Sequence, residues 1–315
     1  MYDPRLLAGL LAGLASALIG GGWQVMTRHA TTGSIAAADL VILRYVIPSL
    51  ALCPLLLRLG LLPQRLPRRL LLAIVAGAGL PFGLAAMSGT RFAPAAHMGV
   101  LMAGASPLFV AGLAWVLWRE RPGRGRGIGL ACLACGVALL GGSALAGAAP
   151  GAWRGDLLFL LAAALWAGYT LAFRRSGLTA WQGAALVNGW SALLLLPWLA
   201  WRGEVHLFDA PLRDLVWQAL WQGLVAGLLG LWLIGFAIER LGAARAAAFG
   251  ALAPVFAALG GWWWLGDRLS ALDLLAVAAT VAGVGLASLS GLAGPPAARP
   301  AVAHSEASTT PTRPS

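Results

Sequence analysis

An internal repeat is the feature that most constrains how this chain can fold. The sequence aligns with itself, without a gap, when it is shifted by 147 residues. Two copies of one apolar unit fused in a single chain are typical of membrane transporters. The recurring landmarks are Pro107 on Pro254, Phe109 on Phe256, Trp115 on Trp262, Glu120 on Asp267, Arg121 on Arg268, Gly136 on Gly283, Gly21 on Gly168, Arg28 on Arg175 and Gly83 on Gly230.

Long apolar runs predict that the chain crosses a membrane many times. Apolar residues make up 60% of the sequence and charged residues only 10%, whereas a soluble domain carries about 25% charge. A hydrocarbon core of about 30 Å needs about 20 apolar residues per helix. The sequence therefore predicts an all-α integral membrane protein with ten transmembrane helices, at 6–27, 39–58, 70–90, 95–118, 127–146, 155–175, 180–201, 214–237, 243–265 and 271–290.

The ten spans divide into two copies of five. We assign residues 1–146 to the first copy and 147–290 to the second, and we expect the Pro- and Ala-rich residues 291–315 to be a disordered tail. An odd number of spans per copy makes the second copy cross the membrane in the opposite direction. The chain is therefore predicted to be an inverted repeat.

Arginine distribution predicts the orientation of the spans. All 22 basic residues are arginine; with the N-terminus inside, fifteen fall in inner segments, six in outer loops and one, Arg44, within a span. This is the positive-inside bias of membrane proteins, and it accounts for the net charge of +11 without nucleic-acid binding. We expect a multi-pass protein of the bacterial inner membrane with both termini in the cytoplasm.

Prolines interrupt the fourth and ninth spans at matching positions, Pro107 and Pro254. A proline inside a helix lacks its N–H and frees the carbonyl oxygen four residues earlier. Matched interruptions in two inverted halves indicate a central binding site, although kinks without function explain them equally well. Pro48 and Pro81 are expected to bend the second and third spans.

The acidic residues near the membrane all lie at the ends of spans, so the sequence predicts no relay of buried carboxylates. No metal cluster, cofactor motif or nucleophile with a base is present, and Cys132 and Cys135 lie among small apolar residues of one helix. We therefore expect neither an enzyme nor a metal or cofactor site. The acidic residues are Asp39, Asp156, Asp214, Glu239, Asp267 and Asp273.

A few polar residues inside the spans are candidates for binding a substrate. Five of them fall in the outer third of their spans: Gln24, Arg44, His97, Gln218 and Gln222. Tyr45, the neighbour of Arg44, is a further candidate. No acid lies at the depth of Arg44, so its guanidinium could bind a substrate carboxylate; it could equally extend to lipid phosphates. His97 could titrate during transport or be a simple hydrogen-bonded histidine.

Deep aromatic and amide side chains complete the candidate site. Aromatic walls with a few polar groups suit a small, partly apolar ligand, although core packing explains any one of these residues equally well. They are Trp23, Trp166, Tyr169, Asn188 and Trp232.

The ends of the fourth and ninth spans carry a family resemblance. Ala253-Pro254-Val255-Phe256, Leu265-Gly266-Asp267-Arg268-Leu269-Ser270 and Ala282-Gly283-Val284 recur as Ser106-Pro107-Leu108-Phe109, Trp118-Arg119-Glu120-Arg121 and Cys135-Gly136-Val137. In both copies these segments resemble the EamA family of the drug/metabolite transporter superfamily. The resemblance implies ten helices, with spans one to four and six to nine around a central cavity and spans five and ten at the periphery.

The resemblance and the residues together predict a secondary transporter that exports small metabolites such as amino acids by alternating access, as a monomer or homodimer in the lipid bilayer. Proton coupling remains open, since His97 or the substrate itself could carry a proton. One alternative is an exchanger of phosphorylated or nucleotide-linked metabolites, which would need more cations than Arg44. Another is a polytopic membrane protein that does not transport.

Overall fold

The computed structural model describes residues 4–64, 66–145, 151–203, 205–241, 249–250 and 252–290, and within those ranges the chain forms helices without any strand. Long apolar runs favour helices in a bilayer because a helix satisfies its own backbone hydrogen bonds. In chain order the helices are α1 Pro4–Thr32, α2 Ala37–Ala51, α3 Cys53–Leu59, α4 Arg68–Ala78, α5 Leu80–Gly89, α6 Ala95–Met98, α7 Ser106–Trp118, α8 Arg124–Leu145, α9 Ala152–Ser176, α10 Ala180–Arg202, α11 Leu212–Gln218, α12 Gly230–Leu241, α13 Ala253–Leu265 and α14 Ala271–Ser290.

Six of the predicted spans are confirmed as helices long and apolar enough to cross a membrane. The bent pair α2 and α3 gives a seventh if it is counted as one span, and Ala271–Ala287 is a shorter apolar helix. The predicted tail and part of the ninth span lie outside the described residues. The six are Leu6–Thr32, Arg68–Gly89, Ala95–Trp118, Ala152–Ser176, Ala180–Arg202 and Leu212–Ile234.

The second span is bent and the third has a break in its helix, each near a proline, but the bend in the second span does not lie at the proline that the sequence singled out. Pro48 lies inside α2, and the 69° bend follows at Leu52, two residues before Pro54. The third span breaks at Gly79, and Pro81 is in the first turn of the helix that follows. A proline cannot continue the hydrogen-bond ladder of the preceding turn, so each helix restarts at it.

The matched prolines lie at the starts of two equivalent helices. Pro107 and Pro254 are each the second residue of a thirteen-residue helix, α7 and α13. Both helices end at a residue in the left-handed conformation, Arg119 with φ 59° and Gly266 with φ 67°. The fourth span also contains a π-helical segment, Gly99–Gly104, and the eighth contains a longer one, Ala219–Leu229.

Glycines bring the fifth and tenth spans, α8 and α14, into close contact. A Cβ on Gly136 would lie 2.8 Å from the Thr280 hydroxyl oxygen and 2.9 Å from the Ala276 carbonyl oxygen. A Cβ on Gly283 would lie 2.8 Å from the side chain of Leu133. Small residues at a membrane helix interface let the backbones approach, which strengthens packing between them.

Polar contacts gather at one end of the bundle, which we call the outer end; it holds the loops that follow α1, α5, α10 and α13. Arg202 Nη1 lies 2.7 Å from Asp39 Oδ1, and the Ser34 hydroxyl donates to Asp214 Oδ2 at 2.8 Å. These contacts join the loops that the predicted topology places together outside the membrane. The outer end is therefore tied by side chains from both copies.

Candidate functional site

A buried hydrogen-bonded cluster joins α1 to the eighth span. Trp23 Nε1 donates to Gln222 Oε1 at 2.7 Å, and Gln222 Nε2 donates to Thr27 Oγ1 and to Gln218 Oε1 at 3.2 Å each. Gln218 Nε2 in turn donates to the Met26 carbonyl oxygen at 3.0 Å. Each amide is satisfied within the protein, as buried polar groups require. The cluster fixes the indole of Trp23 in place.

Arg44 lies against this cluster with donors left unused. Its guanidinium carbon is 5.3 Å from the centroid of the Trp23 ring, a cation–π distance. Nη1 makes one long hydrogen bond, 3.3 Å, to the Gln222 carbonyl oxygen, and the buried Nε has no partner. Across the described part of the chain no carboxylate pairs with Arg44. A guanidinium has five N–H donors, so this side chain can still bind an anion.

A row of aromatic rings runs from this arginine through the bundle. Trp23 stacks on Phe82 at 6.3 Å between centroids, Phe82 meets Trp166 at 5.3 Å, and Trp166 meets Tyr169 at 4.9 Å. Tyr169 then stacks on Phe173 at 5.5 Å. These five residues, the aromatic row, come from α1, α5 and α9, and so from both copies.

His97 occupies a second buried cluster, near the outer end. Its Nδ1 lies 2.8 Å from Asp156 Oδ1, and its Nε2 lies 3.5 Å from Asp273 Oδ1. His97 is therefore hydrogen-bonded, and both alternatives given for it from the sequence agree with these contacts. Asp273 and Ser270 also form the capping box that opens α14, with Ser270 N donating to Asp273 Oδ2 at 2.8 Å.

The expectation that carboxylates stay out of the interior was wrong. Asp156 and Asp273 are buried, with 5% and 8% exposure, although both lie near the starts of their helices. Asp39 and Asp267 are buried as well. A position near a span end does not expose a side chain when neighbouring helices and loops cover that end, and the partners found here offset the cost of burial.

A third cluster ties the two copies together at the outer end. Arg28 Nε lies 3.0 Å from Asp267 Oδ1, and Arg28 Nη1 donates to the carbonyl oxygens of Thr90 and Ala93 at 2.8 Å each. Asp267 Oδ2 also accepts from Ala95 N at 3.3 Å. Asp267 lies between α13 and α14, and its carboxylate bridges α1 and the start of the fourth span.

The internal repeat, with its matched prolines and an arginine beside aromatic rings, also matches a known family. The model of the EamA-like transporter family matches residues 7–142 and again residues 153–289. The chain belongs to the EamA-like transporter family. As a member, it is a multi-pass membrane transporter of the drug/metabolite type, and the family consists of transporters rather than enzymes.

A solved structure shares the fold of this EamA-like transporter. A protein known from its crystal structure aligns with a TM-score of 0.56 and 22% sequence identity, over 92% of this chain and 99% of that one. None of the curated proteins matches the sequence. This structural similarity shows the fold, whereas the binding site depends on the side chains of this EamA-like transporter itself.

The matched proline of the ninth span lies against the first copy. A Cβ on Gly99 would lie 2.9 Å from Pro254 Cα and 3.1 Å from Gln24 Oε1. That amide oxygen of Gln24 is buried and has no hydrogen-bond partner. Gln24, Gly99 and Pro254 thus bring an unsatisfied acceptor to the junction of the first, fourth and ninth spans.

Three predicted site residues make other contacts. The Tyr45 hydroxyl donates to the Gly79 carbonyl oxygen at 2.6 Å, at the break between α4 and α5. Asn188 Nδ2 donates to the Ala184 carbonyl oxygen of its own helix at 2.8 Å. Trp232 is 42% exposed and packs on Phe236 at 5.4 Å between centroids. Tyr45 nevertheless belongs to the same buried core as Trp23 and Phe82, although its hydroxyl is bonded to the backbone.

Two members of the aromatic row, Phe82 and Phe173, were not predicted from the sequence. Phe82 lies among residues that are almost all apolar, so no period separates an inward face from a lipid-facing one. Phe173 lies at the polar end of α9, directly before Arg174 and Arg175. Only the spacing of Phe173 could have indicated its role. Phe173 lies four residues after Tyr169, which lies three residues after Trp166, so the three share one helix face.

An apolar groove of about 500 Å³ lies between α5 and α10, away from Arg44. Its walls are aliphatic, proline and tryptophan side chains, which suits an acyl chain of the bilayer better than a charged metabolite. The groove is lined by Leu80, Pro81, Leu84, Leu194, Pro197, Trp198 and Trp201.

Proposed function

We propose that this EamA-like transporter exports small metabolites that carry a carboxylate, with aromatic amino acids first among them. The observation that carries the proposal is the unpaired guanidinium of Arg44 over the Trp23 ring. A buried cation is costly unless it finds an anion. A bound carboxylate would supply two acceptors in the geometry that a guanidinium prefers.

The aromatic row supports the second half of this substrate description. Phe82, Trp166 and Tyr169 continue from Trp23 at spacings of 4.9–6.3 Å, within the range in which aromatic rings attract one another. An amino acid held by Arg44 would place an apolar side chain against these rings. The exchanger of phosphorylated metabolites is less well supported, because it needs several cations at the same depth.

Alternating access is the mechanism that suits two inverted copies. The Arg28–Asp267 and Arg202–Asp39 pairs join the two copies at the outer end, and in this mechanism they would hold that end closed. Transport would require these contacts to break on one side of the membrane while new contacts form on the other. The substrate would cross as its carboxylate leaves Arg44 toward the opened end.

The cluster around His97 is the candidate for proton coupling. A protonated imidazole would donate to Asp156 from one ring nitrogen and to Asp273 from the other, so one proton would join α6, α9 and α14. The remaining charged groups beside α6 are Asp267 and Arg28, which pair with each other. We expect proton binding to stabilise the closed outer end, and proton loss to favour its opening.

The test is flux through the full-length protein in liposomes. Purified protein would be reconstituted and offered radiolabelled aromatic, aliphatic and acidic amino acids, with and without a pH gradient. Saturable uptake of aromatic amino acids, competed by carboxylates but not by the matching amines, is the expected result. Uptake of phosphorylated metabolites alone would establish the exchanger instead.

A further inference from the structure

One of the ion pairs that join the two copies at the outer end lies between Arg28 and Asp267, and we call it the outer pair. Arg28 of α1 belongs to the first copy, and Asp267, after α13, belongs to the second; Nε and Oδ1 are 3.0 Å apart. Backbone groups of the loop between the third and fourth spans complete it, since Thr90 and Ala93 accept from Arg28 and Ala95 donates to Asp267.

The internal repeat relates the two residues of the outer pair to a second arginine and a second acidic residue. The shift of 147 residues places Arg28 on Arg175 and Asp267 on Glu120. Because the copies are inverted, Arg175 and Glu120 lie at the opposite, inner end of the bundle. We call them the inner pair.

The backbone supports the correspondence. Glu120 and Asp267 each follow a residue in the left-handed conformation, Arg119 and Gly266, at the end of equivalent helices. A non-glycine residue with positive φ is uncommon, so Arg119 marks a turn that the fold imposes. The two carboxylates therefore leave α7 and α13 in the same local geometry.

The inner pair is not formed in this conformation. The Arg175 guanidinium carbon lies 3.6 Å from the centroid of the Trp118 ring, two residues before Glu120. Glu120 is exposed, and within the described ranges it forms no ion pair. Arg175 is thus held on the aromatic ring two residues before Glu120.

We propose that Arg175 and Glu120 form the inner pair when the outer end opens, and that the outer and inner pairs alternate during transport. This rests on the alternating access proposed above: when inverted copies exchange conformations, a contact made at one end is lost there and gained at the other. The cation–π contact with Trp118 stabilises Arg175 while the inner end is open.

Charge exchange across the inner pair tests its role in flux. We expect Glu120→Arg and Arg175→Glu each to lower the transport rate about tenfold or more, within the usual range for coupled sites, and the double variant to recover most of it. Arg174→Glu is the matched control, because Arg174 is an exposed neighbour that has no part in the pair. Equal loss in Arg174→Glu, or no recovery in the double variant, overturns the proposal.

Cross-linking tests the alternation without any substrate. Cysteines would replace Glu120 and Arg175 in the full-length protein after its three native cysteines are changed to alanine, and a short thiol-to-thiol cross-linker would be added in membranes. Breaking the outer pair with Asp267→Asn should raise the cross-linking rate about fivefold or more. Asp209→Asn, at an exposed acid bonded only to His206 in the described residues, is the control.

The two outcomes separate this proposal from the substrate assignment. A higher cross-linking rate in Asp267→Asn, together with no amino-acid flux, keeps the alternating pairs and removes the proposed substrate. Normal amino-acid flux with an unchanged cross-linking rate overturns the alternating pairs and keeps the substrate. Similar cross-linking rates in Asp267→Asn and Asp209→Asn also overturn the alternating pairs.

Discussion

Arg44 of the second span and Trp23 of the first are held face to face, with the guanidinium carbon 5.3 Å from the ring centroid. Trp23 cannot turn away, because its indole N–H is bonded to Gln222 at 2.7 Å, and the carbonyl oxygen of Gln222 accepts from Arg44. The arginine is thereby positioned without being neutralised. A preorganised cation of this kind binds an anion with little loss of side-chain freedom.

We expect Arg44→Ala to raise the KM for amino-acid transport by about 10–100-fold, since a charged hydrogen bond contributes about 1.5–3 kcal/mol. Arg44→Lys should recover only part of the affinity, because an ammonium lacks the two-pronged geometry. Initial rates in liposomes measure both. Arg213→Ala is the control, as that side chain is 93% exposed; unchanged KM in Arg44→Ala removes Arg44 from the site.

His97→Gln is expected to abolish the response of transport to pH. If one proton leaves for each substrate that enters, an acidic lumen should drive uptake, and one pH unit supplies about 1.4 kcal/mol, or about tenfold accumulation. The variant should retain exchange without a gradient. His206→Gln, whose side chain is 55% exposed, should behave like the native protein. Stimulation by a sodium gradient instead would contradict proton coupling.

Tyr45→Phe should lower stability rather than substrate affinity. The variant loses a buried hydrogen bond of 2.6 Å to the Gly79 carbonyl oxygen. That oxygen keeps its bond from Gly83 N, so the expected cost is that of one net hydrogen bond, about 0.5–1.5 kcal/mol. A lower thermal midpoint in detergent with an unchanged KM is the expected result. Tyr169→Phe is the comparison, because the structure describes no hydrogen bond of its hydroxyl. A changed KM with an unchanged midpoint would return Tyr45 to the binding site.

Gly136→Leu should separate the fifth and tenth spans. Its Cβ would meet Thr280 and Ala276 at 2.8–2.9 Å, and overpacking of this kind costs about 1–3 kcal/mol. Gly127→Leu, on the same helix α8, has open space around the added Cβ and should leave the thermal midpoint in place. If both variants have equal midpoints, the packing of α8 on α14 contributes little to stability.

Much of the fold could be predicted, because its cause is local. A run of about 20 apolar residues forms a helix in a bilayer whatever surrounds it, and the predicted span 95–118 agrees with the structure to the residue. The bend in the second span was less predictable. Pro48 and Pro54 lie in the same predicted span, and only the packing of the helices determines which of the two prolines lies next to the bend.

The site could be predicted in part, because unusual residues stand out in an apolar sequence. Arg44, Trp23 and Trp166 were recognised by their depth alone, whereas Phe82 and Phe173 look like every other apolar residue. The burial of Asp156 and Asp273 was not predicted, since it depends on which helices and loops lie beside each helix end. The position of a residue along its span does not predict this burial.

The sequence by itself determined the two copies, the membrane-spanning helices and the matched prolines, because hydrophobic length, proline geometry and repetition act within a segment. Only the tertiary structure decided which polar groups meet: Arg28 with Asp267, His97 with two aspartates, and Arg44 with no acid at all in the described residues. In an apolar medium every polar group must find its partner inside the protein, and partners from different spans meet only when the helices pack.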